Sequence, residues 1–403
     1  MSTPTLGYPF SLKMARSPIF ITGKNNTLTN DSLDSMSCNL KIYSGAKTLP
    51  AGASDYELSK NYSIDEVINF EISTLIRDQF IHDFEIYDAT GYVNSPNGEV
   101  LWVAPLGSWT YSDNGTAPTS AVWSNSNTYA FLATDGWSKS LNNVEVTGAN
   151  LSVSRERYVL PNQYGLLPLN NLADINKITI TWSSGDSDDF YISSSSAIIP
   201  AAGTNSTTSV IYAAVYPQNL ENNPFLPAEL KPSSQTDNGV GLYYDVIVKN
   251  TAGSTVFTQR FYVTCEAKYL PYQISFINRY GLLDYLTFFK RSDERGTFTQ
   301  DSYQKSIYND AFTSPSAQVG KYTDFNVNSR NSYTLNTGFV GQDHDEVIED
   351  ILMSENVAML VGGVWVAVTP ERGSVEYQKQ VNQKLINYTM TFNLAFDERS
   401  LIR

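Results

Sequence analysis

Residues 384–396 read KLINYTMTFNLAF. Ile386, Tyr388, Met390, Phe392, Leu394 and Phe396 are apolar at every second position, and Asn387, Thr389, Thr391 and Asn393 between them are polar. A strand sends alternate side chains to opposite faces, so this segment predicts a strand with one buried and one wet face. It is followed by the short charged run DERSLIR. The pattern is that of an antiparallel sheet with a single covered face, and the strand closes its domain.

The segments just before it belong to the same domain. Gly363–Thr369 reads as a second strand behind a Gly362-Gly363 turn, and Ser374–Gln378 as a third. Between Asp343 and Asn356 the period changes: Val347, Ile348, Ile351 and Leu352 fall at helical spacing behind an acidic start, which predicts one short helix. Upstream, Ile277–Arg291 (INRYGLLDYLTFFKR) is dense in aromatic and aliphatic residues. Phe276, Tyr280, Leu282, Tyr285, Phe288 and Phe289 are too many large apolar groups for an exposed loop, so most should be buried in the fold or in an interface. Asn278 and Arg279 should fix a turn or pair across a subunit boundary.

The chain has 403 residues, enough for two or three domains of roughly 100–200 residues each. With 26 Tyr and 19 Phe, strand formers are abundant. The expected fold is mainly β: two or three antiparallel β-sandwich-like domains in series, with one short helix in the last. The regions are residues 1–161, with a long loop insertion at Tyr111–Asn127, residues 162–268, and residues 269–403. Strands are expected at Met36–Tyr43, Val67–Ile72, Phe84–Tyr87 and Val100–Ala104 in the first region, and at Ile178–Trp182, Ser209–Val215, Val240–Lys249 and Thr255–Val263 in the second. The last two are joined by Asn250–Gly253 and form a hairpin. Pro217–Ser234, with its prolines and little period, reads as an extended connection. No fixed-period repeat or heptad is visible.

Charged residues make up 17% of the chain and the net charge is -14. An acidic surface disfavours direct nucleic-acid binding. Lys290, Arg291 and Arg295 are the one tight basic group, and Asp293 and Glu294 interrupt it, as in a solvated loop. Cys38 and Cys265 are too few for a disulfide framework and read as small buried apolar side chains. The N-terminus lacks a basic start followed by an apolar core, so no signal peptide is expected. The longest apolar stretch, Val357–Val368, falls short of the ~20 residues of a membrane span.

Catalytic and metal-binding patterns are sparse. Histidine, the commonest general base near neutral pH, occurs only at His82 and His344. His344 sits in Asp343-His344-Asp345-Glu346, which reads better as an acidic helix start than as a metal site. Gly185–Asp189 resembles a calcium loop in composition only. There is no nucleophile elbow, phosphate loop, CxxC or HExxH. Neither catalysis nor a cofactor or metal is expected. Trp102, Trp109, Trp123 and Trp137 crowd the first region. They could stack on sugar rings, but core or interface packing is the plainer reading.

Phe276-Ile277-Asn278-Arg279-Tyr280-Gly281 and Asp284-Tyr285-Leu286-Thr287-Phe288 resemble a motif in tail and neck proteins of crAss-like phages and related Bacteroidetes-infecting tailed phages. The C-terminal run, from the helix through GGVWVAV to the closing strand, is similar to the closing domain of those proteins. So is the N-terminal series Arg16-Ser17-Pro18-Ile19-Phe20, Tyr43-Ser44-Gly45, Phe70-Glu71-Ile72-Ser73 and Leu75-Ile76-Arg77-Asp78. The middle of the chain is unmatched, and none of the strings is a catalytic signature. The resemblance implies a structural virion protein, assembled in the bacterial host cytoplasm. It would form a ring or collar in the tail or neck, with copies of itself and other tail or neck proteins as partners. Phe276, Asn278, Arg279, Tyr280, Tyr285, Phe288, Trp365 and Phe392 are its expected structural and interface residues. The alternative is a glycan-binding or depolymerase module of a tail fibre, with a surface glycan as partner.

Overall fold

The computed structural model describes residues 5–397 except 8–11, 25–31, 46, 62–66, 83, 85–87, 97, 113–118, 124–129, 140–145, 147, 171–174, 193–197, 200–209, 238, 240, 266–267, 307–319, 342 and 374–384. The protein is mainly β, with several sheets and three α-helices among the described residues. It divides into two compact units: Met1–Cys265 with Ile277–Tyr285, and Glu266–Phe276 with Leu286–Arg403.

In the first unit, Thr5–Gly7, Phe20–Lys24 and Val67–Glu71 form a three-stranded sheet. A second sheet orders Lys13–Met14, Phe131–Thr134, Val100–Ser112, Ser32–Tyr43 and Tyr56–Asn61, with Thr119–Trp123 also paired to Val100–Ser112. Their facing side chains share one core. Ile21, Ile68 and Phe70 come from the small sheet, and Met36, Cys38, Leu40, Val103 and Phe131 from the large one. This two-layer packing follows from the alternation in each strand. Helix Ser73–Arg77 adds Ile76 to the core.

A six-stranded sheet follows, in the order Glu156–Val159, Thr255–Val263, Tyr243–Asn250, Ile175–Trp182, Ser187–Ile192, Ile198–Ile199. Tyr244, Val246 and Val248 are fully buried, as their alternation predicts, and the Tyr244 ring stacks on Phe261 at 5.0 Å. Gly253, at φ +80, makes the hairpin turn. The sequence boundary near Pro161 is crossed by two pairings. Glu156–Val159 runs parallel to Thr255–Val263, and Tyr92–Asn94 pairs with Val210–Ala213.

Three local expectations need correction. Pro217–Ser234 is not extended: it holds helix Pro217–Asn222 and 3-10 turns at Ala228–Leu230 and Pro232–Ser234. Pro217 is the first helical residue, where a missing N–H costs nothing, and helices this short leave no period to read. Tyr111–Asn127 is not all loop, because one strand continues to Ser112 and Thr119–Trp123 returns against it. Cys38 is buried but Cys265 is exposed. Burial raises the Cys38 thiol to about 12. Of the strand expected at Phe84–Tyr87, residues 85–87 lie outside the described residues.

In the second unit, Tyr272–Ile277, Val357–Val361, Val364–Pro370, Leu385–Leu394, Tyr322–Gly341 and Asp293–Gln304 are successive neighbours. Ile386, Tyr388, Met390, Phe392 and Leu394 are buried, while Asn387 and Thr389 are exposed. Phe396 lies past the strand end and is exposed. Gly362 and Gly363, at φ +59 and +85, form the hairpin turn before Val364. Helix His344–Met353 buries Val347, Ile348 and Ile351 and carries Asp345 and Glu346 in its first turn. The third strand expected at Ser374–Gln378 lies outside the described residues.

Among the described residues, one part of this sheet is paired along one edge only. Tyr322–Gly341 pairs with Leu385–Leu394 from Ser332 onward, and with Asp293–Gln304 along Tyr322–Thr334. Residues Gly296–Gln304 and Tyr322–Asn331 therefore form a two-stranded arm. Every residue of Asp293–Gln304 is exposed. The arm carries four aromatic side chains in solvent: Phe298 at 74%, Tyr322 at 63%, Tyr303 at 50% and Phe325 at 42% exposure.

Candidate functional site

In the first unit, the turn within Ile277–Tyr285 folds around Asn278. Its backbone N–H donates to Leu282 O at 2.9 Å, and its carbonyl accepts from Gly281 N at 2.8 Å. Its side-chain Oδ1 accepts from Tyr280 N at 2.9 Å and from Leu282 N at 3.3 Å, and Nδ2 donates to Leu151 O at 2.8 Å. One buried amide thus closes the turn and ties it to a distant segment.

Two glycines let the turn approach its neighbour. Gly281 has φ +77, and a Cβ there would lie 2.4 Å from Gly136 N. A Cβ on Gly136 would in turn lie 2.5 Å from Arg279 O. Neither side chain fits, and the close approach allows Trp137 N to donate to Arg279 O at 2.7 Å. The Arg279 guanidinium lies over the Trp137 ring, 5.8 Å from its centroid.

Beneath the turn is a buried polar network. Arg157, on strand Glu156–Val159, donates from Nη2 to Asp284 Oδ1 at 2.5 Å and to Ser152 Oγ. Its Nη1 donates to Tyr216 OH at 2.8 Å and Tyr285 O at 3.0 Å. Asp284 also accepts from Ser152 Oγ at 3.0 Å and from Tyr285 N at 2.8 Å. Burial disfavours the Arg157 cation, but the Asp284 carboxylate outweighs that and holds its pKa above the usual guanidinium value. Nearby, Tyr212 OH donates to the buried Glu99 at 2.6 Å and accepts from Leu283 N at 3.0 Å. Asp284 and Arg157 are separated by 127 positions, and no sequence pattern marks the pair.

The motif's apolar residues are placed as follows. In the first unit Leu282 and Tyr285 are buried, and Tyr280 is half-buried. In the second unit Phe276, Phe288 and Phe289 are buried, and the Phe288 ring meets Phe392 edge-on at 5.7 Å. Trp365, on strand Val364–Pro370, is half-buried opposite Leu360.

The histidines are engaged. Arg16 grips Asp135 with two hydrogen bonds, Nε to Oδ1 at 2.9 Å and Nη2 to Oδ2 at 2.7 Å, and His82 Nε2 lies 3.1 Å from Oδ2. A carboxylate only accepts, so Nε2 carries the proton. Among the described residues, His82 Nδ1 is buried without a hydrogen-bond partner. Burial raises the Asp135 pKa, but the hydrogen bonds from His82 and Arg16 and their charges outweigh it, and it lies below the ordinary carboxylate value. Arg16, His82 and Asp135 are far apart in sequence, so the sequence carries no signal of this cluster. His344 is buried at its helix start, and Asp345 accepts a hydrogen bond from Tyr388 OH of the closing strand.

The other candidates are placed as follows. Gly185, at φ +100, turns the hairpin between Ile175–Trp182 and Ser187–Ile192, and Asp189 pairs with Lys177 at 2.5 Å and Lys249 at 3.5 Å. Arg291 pairs with Asp293 at 3.0 Å on the surface. Trp102 and Trp109 are buried and unavailable to a sugar, and the Trp123 side chain lies outside the described set. Among the described residues no group of three His, Cys, Asp or Glu side chains is placed to hold a metal. Among them, no helix is long and apolar enough to cross a membrane.

No family model matches the chain, and no curated protein matches it. Among solved structures it is similar to trypsin-activated alpha-2-macroglobulin from Escherichia coli, at 9% identity and a TM-score of 0.21, over 96% of this chain and 21% of that one. The chain thus spans about a fifth of that protein's length, and a likeness this slight carries no argument about fold or function.

Proposed function

We propose that the chain is a structural component of a tailed-phage virion. Several copies form a ring or collar in the tail or neck, against other tail or neck proteins, after assembly in the host cytoplasm. The observation that carries this reading is the state of the motif at residues 276–289. The residues that resemble phage tail and neck proteins form an internal scaffold: Asn278 closes the turn, Asp284 is sealed against Arg157, and Phe276, Tyr285 and Phe288 are buried. Buried polar groups hydrogen-bonded in this way hold a shape.

The glycan reading has less support, because Trp102 and Trp109, half of the tryptophan group that suggested it, are core residues. Mass spectrometry of purified virions tests the proposal. The chain is expected among the virion proteins in multiple copies. Its absence from virions overturns the reading.

A further inference from the structure

The two-stranded arm carries exposed aromatic side chains. Side chains paired across the ribbon share a face. Phe298 shares its face with Gln304 and the Tyr322 paired to it, and Tyr303 shares the other with Asp301 and Phe325. The Tyr303 and Phe325 rings meet edge-on at 5.7 Å. The arm thus presents aromatic side chains to solvent on both faces. A two-stranded ribbon is marginal in water when nothing packs on it, and exposed aromatic groups gathered on one element mark an interaction surface.

Charge points to the occupant. Residues 296–331 carry Lys305, Lys321 and Arg330 against Asp301, Asp310 and Asp324, so this segment is neutral. The whole net charge of -14 therefore resides on the rest of the chain. Two such bodies repel one another at long range, and a neutral arm lets one copy reach another without that penalty. At the far end of the described ribbon Lys305 N donates to Lys321 O at 2.9 Å, which sets two lysines side by side. They complement an acidic body, and a second copy of this chain is one. The area is also adequate. An arm about 30 Å long and about 10 Å wide offers roughly 600 Å² over its two faces before side-chain relief is counted, near the ~800 Å² per partner of a standard interface.

We infer that this arm docks onto a second copy of the chain, with Phe298 on one face and Tyr303 and Phe325 on the other as anchors. The inference rests on the ring reading for the identity of the partner, and it adds the element that makes the contact.

The test is self-association of the purified full chain, measured by sedimentation velocity across a concentration series. It is run on wild type and on Phe298→Asp, Phe325→Asp and Lys305→Glu/Lys321→Glu. These positions are exposed, and circular dichroism and thermal melts check that each variant folds as wild type does. Wild type should associate, and each arm variant should weaken association roughly tenfold or more. The milder Phe298→Ser stands in for any variant that misfolds. If wild type and the folded arm variants associate equally, the arm inference is overturned while the ring reading stands. Wild type that stays monomeric throughout overturns the inference as well, and the virion proteome then decides the ring reading on its own.

Discussion

Asp284→Ala should be among the most damaging single substitutions in the first unit. Arg157 and Asp284 are both buried, and Asp284 accepts from Arg157, Ser152 and Tyr285 N. Deleting the carboxylate strands a guanidinium in a low-dielectric site, which typically costs about 3–5 kcal/mol. Arg157→Met strands the carboxylate instead, at a similar cost of about 3–5 kcal/mol, and removes the donor to Tyr285 O. The double variant Arg157→Met/Asp284→Leu buries no unpaired charge. It still leaves Tyr216 OH and Tyr285 O without this donor, at about 1–3 kcal/mol for a stranded group. Its total should therefore be close to that of one single variant, with a coupling of about 2 kcal/mol or more. Urea unfolding followed by tryptophan fluorescence measures all four corners of the cycle. A cost below about 1 kcal/mol for Asp284→Ala, or additive single effects, would refute the account of a sealed pair that holds the motif in place.

The other predictions test separate parts of the fold. Phe392→Ala should destabilise the second unit by about 3–5 kcal/mol, because a fully buried ring packed on Phe288 is lost. Thr391→Ala, which removes one hydroxyl contact to Thr334 at 3.2 Å, should cost about 1 kcal/mol or less. Equal shifts in thermal melts would mean that both faces of the strand are covered. Gly281→Ala combines a left-handed φ with a Cβ that would lie 2.4 Å from Gly136 N, so a loss of about 3 kcal/mol or more is expected; a neutral substitution would show that the turn is not held against residues 135–136. Asp135 has a lowered pKa in the folded chain, so its contribution is present above about pH 4 and fades as pH falls through the folded value. The stability gap between wild type and Asp135→Asn should therefore narrow from pH 7 to about pH 3, and a constant gap would contradict the Arg16–Asp135–His82 cluster.

What the sequence disclosed depended on the range of the interaction. Alternation from Ile386 to Leu394 and from Tyr244 to Val248 reports burial on one face, and both strands are there. The Gly362-Gly363 turn and the helix at His344–Met353 are local and equally legible. Helix Pro217–Asn222 is not legible in the sequence, because a helix of under two turns has no period to detect. The arm was silent for a related reason: Asp293–Gln304 buries neither face, so DERGTFTQDSYQ has no alternation. The density of apolar residues at 276–289 flagged the motif. Its partner Arg157 and the cluster of Arg16, His82 and Asp135 are products of topology, since their members meet across more than fifty positions of chain.

The location of the chain in the intact particle tests the central claim most directly. A reconstruction of the virion from particles carrying this protein should show several copies closed into a ring in the tail or neck, each placing Phe298 and Phe325 against a neighbouring protein surface. A particle whose tail and neck are fully accounted for by other chains would contradict it.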